Sequence, residues 1–276
     1  MGAGGRLFVR DIGAGPPVAL LHGGPGAQHD YLLPAFRVLE DEFHLYFYDQ
    51  RGGGRSQVPQ PRKVGWRDHV ADLETLRVDW GLDRLTIVGY SWGGLLALLY
   101  TSEFPDRMRA QVLVAPAPGW GDYHRSFRKE FLRRSQSPEI KKLRAELEAS
   151  GLRQSEPARY GQRRFDLSVA AYYLNPGSAF DSESFVVHLQ AQQATWASLR
   201  GCGADLRRKL ELVQTPTLVL HGRHDPIPLE WAEELARIMP SARLVVLENS
   251  GHVPYVEEAD RTFGEIRRFL REHTDS

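Results

Sequence analysis

The stretch Leu85–Glu103, LTIVGYSWGGLLALLYTSE, decides the fold of this chain. Its first residues, Leu85–Val88, form a continuous apolar run, which is typical of a strand buried on both faces of a parallel sheet. Gly93–Glu103 then has a helical pattern that ends before Pro105. The turn between them reads Gly89-Tyr90-Ser91-Trp92-Gly93, a G-x-S-x-G pattern that places a serine on a sharp strand-to-helix turn with its hydroxyl exposed above the sheet edge.

Short apolar runs that predict strands alternate with helical patterns on both sides of this stretch. The predicted strands are Leu7–Val9, Val18–Leu21, Leu45–Tyr48, Val112–Val114, Thr217–Leu220 and Leu244–Leu247. The predicted helices are Tyr31–Leu39, Asp68–Trp80, Leu229–Ile238 and Ala259–Leu270. This alternation predicts an α/β fold, with a mostly parallel, doubly wound sheet that is covered by helices.

One long segment, residues 117–213, breaks the alternation. It contains no convincing strand, and helical patterns occupy Pro138–Ala149 and Phe185–Leu199. We therefore expect a helical cap at 117–213, inserted between a first part of the core at 1–116 and a second part at 214–276.

Composition limits the partners and the compartment. The chain has 276 residues and a formal net charge of zero, so no overall field attracts nucleic acid or an anionic membrane. Cys202 is the only cysteine, which excludes an intrachain disulfide and fits a reducing compartment. The N-terminus has no signal-peptide pattern and no apolar run is long enough to span a membrane, so we expect a cytoplasmic protein.

Three residues form a candidate catalytic triad. The hydroxyl of Ser91 needs a base to become a nucleophile. His252 follows the strand Leu244–Leu247, and Asp225 follows the strand Thr217–Leu220, so both belong to loops at the carboxyl ends of parallel strands, where such sheets build their sites. The chain order serine, acid, histidine is that of the G-x-S-x-G hydrolases, and the acid would hold the imidazole in its productive tautomer.

Simpler interpretations of these loops remain open. Asp225 precedes Pro226, so it could cap the next helix instead. His221 and His224 near Asp225 suggest a metal site, but their spacing is not the i, i+4 pattern of a helical zinc site. We predict no metal and no cofactor.

The negative charge that develops on an attacked carbonyl oxygen requires fixed donors. One is the N–H of Trp92, directly after the serine. The other is expected from the glycine-rich loop His22–Gly26, at the N–H of Gly24 or, as an alternative, of Gly23. An ordinary strand-to-helix turn would also use such glycines.

Three strings in this chain resemble the proline iminopeptidase branch of the α/β-hydrolases: HGGPG at 22–26, DQRGGGRS at 49–56 and GYSWGG at 89–94. The resemblance covers about residues 16–115 and 215–270. It implies the α/β-hydrolase fold, triad roles for Ser91, Asp225 and His252, an oxyanion hole at Gly24 and Trp92, and an architectural role for Asp49–Ser56.

The resemblance does not extend to residues 117–213. Family members bind the substrate N-terminus through cap carboxylates, often where tryptophan precedes glutamate, and no Trp-Glu pair occurs here. Glu156 and Glu183 are acids of this segment, but neither is assigned to the pocket. The substrate-binding residues therefore stay unassigned.

Three functions remain open. The first is a serine aminopeptidase that releases N-terminal proline or small apolar residues from short peptides. The second is a carboxylesterase, lactonase or amidase for small acyl substrates, with an apolar pocket lined by Trp120, Tyr172, Tyr173, Phe180 and Trp196. The third is a ligand-binding sensor on a hydrolase scaffold. Epoxide hydrolase and haloalkane dehalogenase chemistry is disfavoured, because those relatives have aspartate where Ser91 stands. The sequence does not assign an oligomeric state.

Overall fold

The sheet follows the predicted topology. A computed structural model of the chain describes residues 7–181, 183 and 185–274. Its seven strands lie in the order β1-β3-β2-β4-β5-β6-β7, with β1 antiparallel to β3 and all other neighbours parallel. The strands are β1 Val9–Ile12, β2 Pro17–Leu21, β3 His44–Tyr48, β4 Leu85–Tyr90, β5 Met108–Val114, β6 Thr217–Gly222 and β7 Ala242–Leu247.

Helices cover both faces of this sheet. They are α1 Leu33–Phe36, α2 Trp66–Asp79, α3 Trp92–Glu103, α4 Tyr123–Ser135, α5 Pro138–Ala149, α6 Leu152–Ser155, α7 Pro157–Val169, α8 Leu189–Ser198, α9 Gly203–Leu210, α10 Leu229–Ile238, α11 Pro254–Glu257 and α12 Ala259–His273. Short 3-10 turns occupy Arg37–Leu39, Pro61–Lys63, Pro105–Arg107, Ala170–Tyr172 and Pro176–Asp181. The predicted α/β-hydrolase fold with a mostly parallel sheet is confirmed.

Alternate residues of each central strand point into two separate apolar layers. Leu20 and Val88 belong to the layer on one face, and Ala19 and Ile87 to the layer on the other. Burial on both faces explains why β4 has no polar side of its own. Among the residues that the structure describes, no helix has the length and apolar character needed to cross a lipid bilayer.

The chain between β5 and β6 contains α4–α9 and, where it is described, no strand. We call residues 117–213 the β5–β6 segment. The helix predicted from Phe185 begins only at Leu189, because His188 has an extended backbone and donates its N–H to the carbonyl of Gly26 at 2.9 Å. Helix α2 begins at Trp66, two residues before the predicted start, because the Asp68 carboxylate accepts the N–H of Gly65 at 2.8 Å.

Candidate active site

Ser91 lies at the turn between β4 and α3 in a strained backbone conformation. Its φ is 53° and its ψ is −115°, a region that non-glycine residues rarely adopt. The surroundings fix this turn, because Ser91 donates its N–H to Val114 O at 2.9 Å and accepts the N–H of Ala117 at 2.9 Å. The strain is therefore stored in a well-held element, as is common where a side chain must be presented for chemistry.

The three predicted triad side chains meet above the sheet. Ser91, Asp225 and His252 follow the carboxyl ends of β4, β6 and β7. Ser91 Oγ lies 2.9 Å from His252 Nε2, and His252 Nδ1 lies 2.8 Å from Asp225 Oδ2. Because the carboxylate can only accept, Nδ1 carries the imidazole proton and Nε2 is free to accept the serine proton. The arrangement can therefore generate an alkoxide-like nucleophile.

The helix-cap interpretation of Asp225 does not fit the structure. Helix α10 has Pro228 at its N-cap and no side-chain cap, so Asp225 does not cap it. Its second oxygen, Oδ1, accepts the N–H of Ile227 at 2.7 Å, which fixes the carboxylate toward His252. His221 is buried and donates through Nε2 to Ile227 O at 3.0 Å, whereas His224 is exposed. His221 therefore lies in the protein interior, whereas His224 lies at the surface.

The two amides predicted to bind an oxyanion have no hydrogen-bond partner within the described part of the chain: these are the N–H groups of Gly24 and Trp92. The alternative donor, Gly23 N–H, is occupied, because it donates to Tyr31 Oη at 2.8 Å. Gly24 has φ of 60°, a left-handed conformation that suits glycine. The geometry thus favours Gly24 over Gly23.

A buried hydrogen-bond network beneath the site joins this loop to α3. Gln50 accepts the indole N–H of Trp92 at 2.6 Å and donates its amide N–H to His22 O at 2.8 Å. The Gln50 backbone N–H donates to His22 Nε2 at 3.1 Å, while His22 Nδ1 donates to Gly23 O at 2.9 Å. Burial lowers the pKa of His22 to about 4, so its imidazole stays neutral at pH 7. Gln50 therefore links the His22–Gly26 loop to α3, the two elements that carry the predicted oxyanion donors.

Replacing Gln50 with alanine is expected to lower stability and activity together. The change leaves the Trp92 indole N–H and the His22 carbonyl buried without partners, and each such group costs roughly 1–3 kcal/mol. We expect a loss of about 2–4 kcal/mol in the free energy of unfolding, measured by urea titration, and a lower kcat. Gln154→Ala, at an exposed position of α6, should change stability by less than about 0.5 kcal/mol. Equal stabilities for the two variants would contradict this account.

Asp49 connects the loop after β3, Asp49–Ser56, to His29 in the chain after β2. This fully buried carboxylate accepts the backbone N–H and Nδ1 of His29, at 3.0 and 2.6 Å, and the backbone N–H of Arg55 at 2.8 Å. Burial by itself raises the pKa of Asp49, but the hydrogen bonds from His29 and Arg55 outweigh it and hold the pKa well below its usual range. The carboxylate is therefore charged and serves as an anchor of the loop.

A cavity of about 760 Å³ opens above Ser91. Aromatic rings dominate its lining, and these include three of the five that the sequence proposed: Tyr172, Tyr173 and Trp196. The other two lie elsewhere, since Trp120 packs on Trp231 at 4.5 Å and Phe180 lies under the Arg163 guanidinium at 4.4 Å. The cavity therefore suits an apolar group next to the serine.

Two carboxylates of the β5–β6 segment line the same cavity. One is Glu183, an acid of the segment that the sequence left unassigned, and the other is Asp181, which sequence reasoning missed. Glu156 lies on the surface beside Arg159, 3.4 Å away. No local pattern marks Asp181, because its position in the cavity lining follows from how the segment folds over the core.

The β5–β6 segment is held directly to the loop of His252. The backbone N–H of His252 donates to Tyr172 O at 2.7 Å, and the ring of Tyr172 stacks on the imidazole at 4.9 Å. Glu257 accepts N–H groups from both sides, from Gly251 at 2.7 Å and from Asn175 at 3.0 Å. The position of the histidine thus depends on the segment that lines the cavity.

Comparison with known proteins places this geometry in a family. A family model described as alpha/beta hydrolase fold matches residues 16–259. A proline iminopeptidase of Clostridium botulinum is 26% identical, and the match covers 97% of this chain and 94% of that protein. A proline iminopeptidase of Heyndrickxia coagulans is also 26% identical, and the match covers 97% of this chain and 96% of that protein. The resemblance inferred from the three strings is confirmed.

Solved structures agree on the fold and include esterases. A thermophilic esterase from Thermogutta terrifontis is 27% identical, with a TM-score of 0.66, over 97% of this chain and 94% of that chain. An alpha/beta fold family hydrolase from Bacillus anthracis has a TM-score of 0.71 at 20% identity, over 96% and 95%, and this likeness concerns the fold alone.

Proposed function

Because the chain belongs to the alpha/beta hydrolase fold family, we propose that it is a serine aminopeptidase. It releases N-terminal proline or a small apolar residue from short peptides through an acyl-enzyme on Ser91. One observation carries this proposal: the hydrogen-bonded series Ser91, His252 and Asp225 opens into an aromatic cavity that Asp181 and Glu183 also line.

The reaction uses the groups around Ser91 in sequence. His252 Nε2 takes the hydroxyl proton as Ser91 Oγ bonds to the acyl carbon, and the N–H groups of Gly24 and Trp92 receive the developing negative charge. Asp225 stabilises the imidazolium. The imidazolium then protonates the leaving amine as the C–N bond breaks. Water, deprotonated by the same imidazole, attacks the acyl-enzyme, and the proton returns to Ser91.

The carboxylates supply a reason for preferring a free N-terminus. An ammonium group bound beside Asp181 or Glu183 would form charge-assisted hydrogen bonds that an acetylated amine cannot form. The rings of Tyr172 and Trp196 offer an apolar surface to a pyrrolidine or a small aliphatic side chain. We also propose that residues 117–213 act as the cap between core parts at 1–116 and 214–276, because this segment supplies these contacts.

A panel of substrates tests the proposal. We expect turnover of the 4-nitroanilides of proline and alanine, with little turnover of their N-acetyl derivatives. Glu183→Gln and Asp181→Asn should raise KM for the free-amine substrates, because each variant removes a negative charge from the cavity. The exposed Glu156→Gln is the matched control and should leave KM unchanged. Equal rates on acetylated and free substrates would refute the aminopeptidase.

A carboxylesterase is the second candidate, and the apolar lining of the cavity together with the esterase structure at 27% identity favours it. Fast hydrolysis of p-nitrophenyl esters without any anilide hydrolysis would support this candidate. Failure of Ser91 to react with a fluorophosphonate would instead support a binding protein on a hydrolase scaffold.

A further inference from the structure

The phenol of Tyr31 contacts the glycine-rich loop His22–Gly26, the predicted oxyanion loop, at a position next to Ser91. Tyr31 Oη accepts the Gly23 N–H at 2.8 Å. A Cβ placed on Gly23 would lie 3.0 Å from Tyr31 Oη and 3.1 Å from Ser91 Cβ. Together these distances keep the phenol oxygen within about 6 Å of Ser91 Cβ, and Gly23, which it contacts, is the direct neighbour of Gly24.

The proton of this phenol is available to a ligand. A tyrosine hydroxyl can accept hydrogen bonds and donates one. Gly23 uses the accepting side, and within the described residues no acceptor is found for the Tyr31 O–H. Tyr31 lines the cavity, and its ring is fixed by Phe185, with ring centroids 4.6 Å apart. Burial raises the pKa of Tyr31 far above its usual value, so the proton is retained at every working pH.

We propose that Tyr31 is a catalytic residue whose phenolic O–H donates a third hydrogen bond to the oxyanion, beside the N–H groups of Gly24 and Trp92. The inference rests on the proposed acyl transfer at Ser91. The Gly23 N–H does not contact the oxyanion itself. It donates to the phenol and polarises the O–H, which strengthens the bond that the phenol gives.

A purely structural role makes a different prediction. If Tyr31 only accepted the Gly23 N–H, it would support the loop, and its proton would have no function. The two roles depend on opposite properties of the hydroxyl, since the first requires a good donor and the second a good acceptor. This difference allows an experimental separation.

A fluorophosphonate can label Ser91 whatever the natural substrate is. Its labelling rate therefore reports how well the oxyanion site stabilises developing negative charge. Ser91 Oγ bonds to phosphorus, fluoride leaves, and the serine proton passes to His252, while negative charge develops on the phosphoryl oxygen. We expect Tyr31→Phe to label about 10²-fold more slowly, the usual effect of removing one oxyanion donor. Tyr100→Phe, which removes a buried phenol bonded to Glu74 at 2.6 Å, should label at the wild-type rate.

Incorporating 3-fluorotyrosine at position 31 separates the two roles. Fluorination makes the phenol a stronger donor and a weaker acceptor. Labelling as fast as wild type or faster supports donation to the oxyanion, whereas a rate reduced toward that of Tyr31→Phe would overturn it in favour of loop support. Unchanged labelling in Tyr31→Phe would also overturn the inference and leave the proposed function intact. Wild-type protein that does not label would instead refute the proposed function.

Discussion

Ser91→Ala is expected to lower kcat/KM by about 10⁶-fold on whichever substrate the panel identifies, because the nucleophile and its base act as one unit. Without Oγ, His252 has no hydroxyl to deprotonate, and the amides of Gly24 and Trp92 can act only on direct attack by water. The residual rate should come from substrate binding and from these donors. Steady-state kinetics with purified protein measure the effect.

Two controls accompany this substitution. Ser102→Ala removes a hydroxyl from the same helix, where it donates to Leu99 O at 2.8 Å, and should leave the kinetics unchanged. Ser91→Ala should also melt close to the wild-type temperature, because the positive φ at this position destabilises alanine and serine by similar amounts. Activity within tenfold of wild type would mean that another group is the nucleophile.

Gly93→Ala is expected to have the largest effect on folding. A Cβ at Gly93 would lie 2.1 Å from Leu21 O and 2.8 Å from His22 O. Both atoms belong to the backbone at the end of β2, so no side chain can move aside to make room. The first turn of α3 would have to shift away from the sheet, at a cost of about 3 kcal/mol or more. Urea unfolding or the yield of soluble protein measures the loss.

A glycine in open space provides the matched control. Gly264 lies on the exposed face of α12, and an added Cβ there would meet no atom within 4 Å. Gly264→Ala should therefore stabilise the protein by about 0.5–1 kcal/mol, because alanine loses less backbone freedom in a helix. A Gly93→Ala variant as stable as wild type would show that the close approach of α3 to β2 does not require glycine at this position.

Local patterns were sufficient for most of the architecture. Helices α5 and α10 have the predicted bounds, because Pro138 fixes one start and the apolar period of Leu229–Ile238 is strong. The helix predicted from Phe185 begins late because a distant backbone group, Gly26 O, captures the N–H of His188. Such a contact leaves no trace in the local pattern.

The sequence by itself determined the α/β alternation, the serine on a strand-to-helix turn and the three loops in which Ser91, Asp225 and His252 lie. These follow from hydrophobic period, glycine positions and chain order, which are local properties. Only the tertiary structure decided that Gly23 is occupied, that Tyr31 approaches the oxyanion loop and that Asp181 and Glu183 reach the cavity. The reason is physical: hydrogen bonds and cavity walls between residues far apart in the chain exist only after packing brings them together.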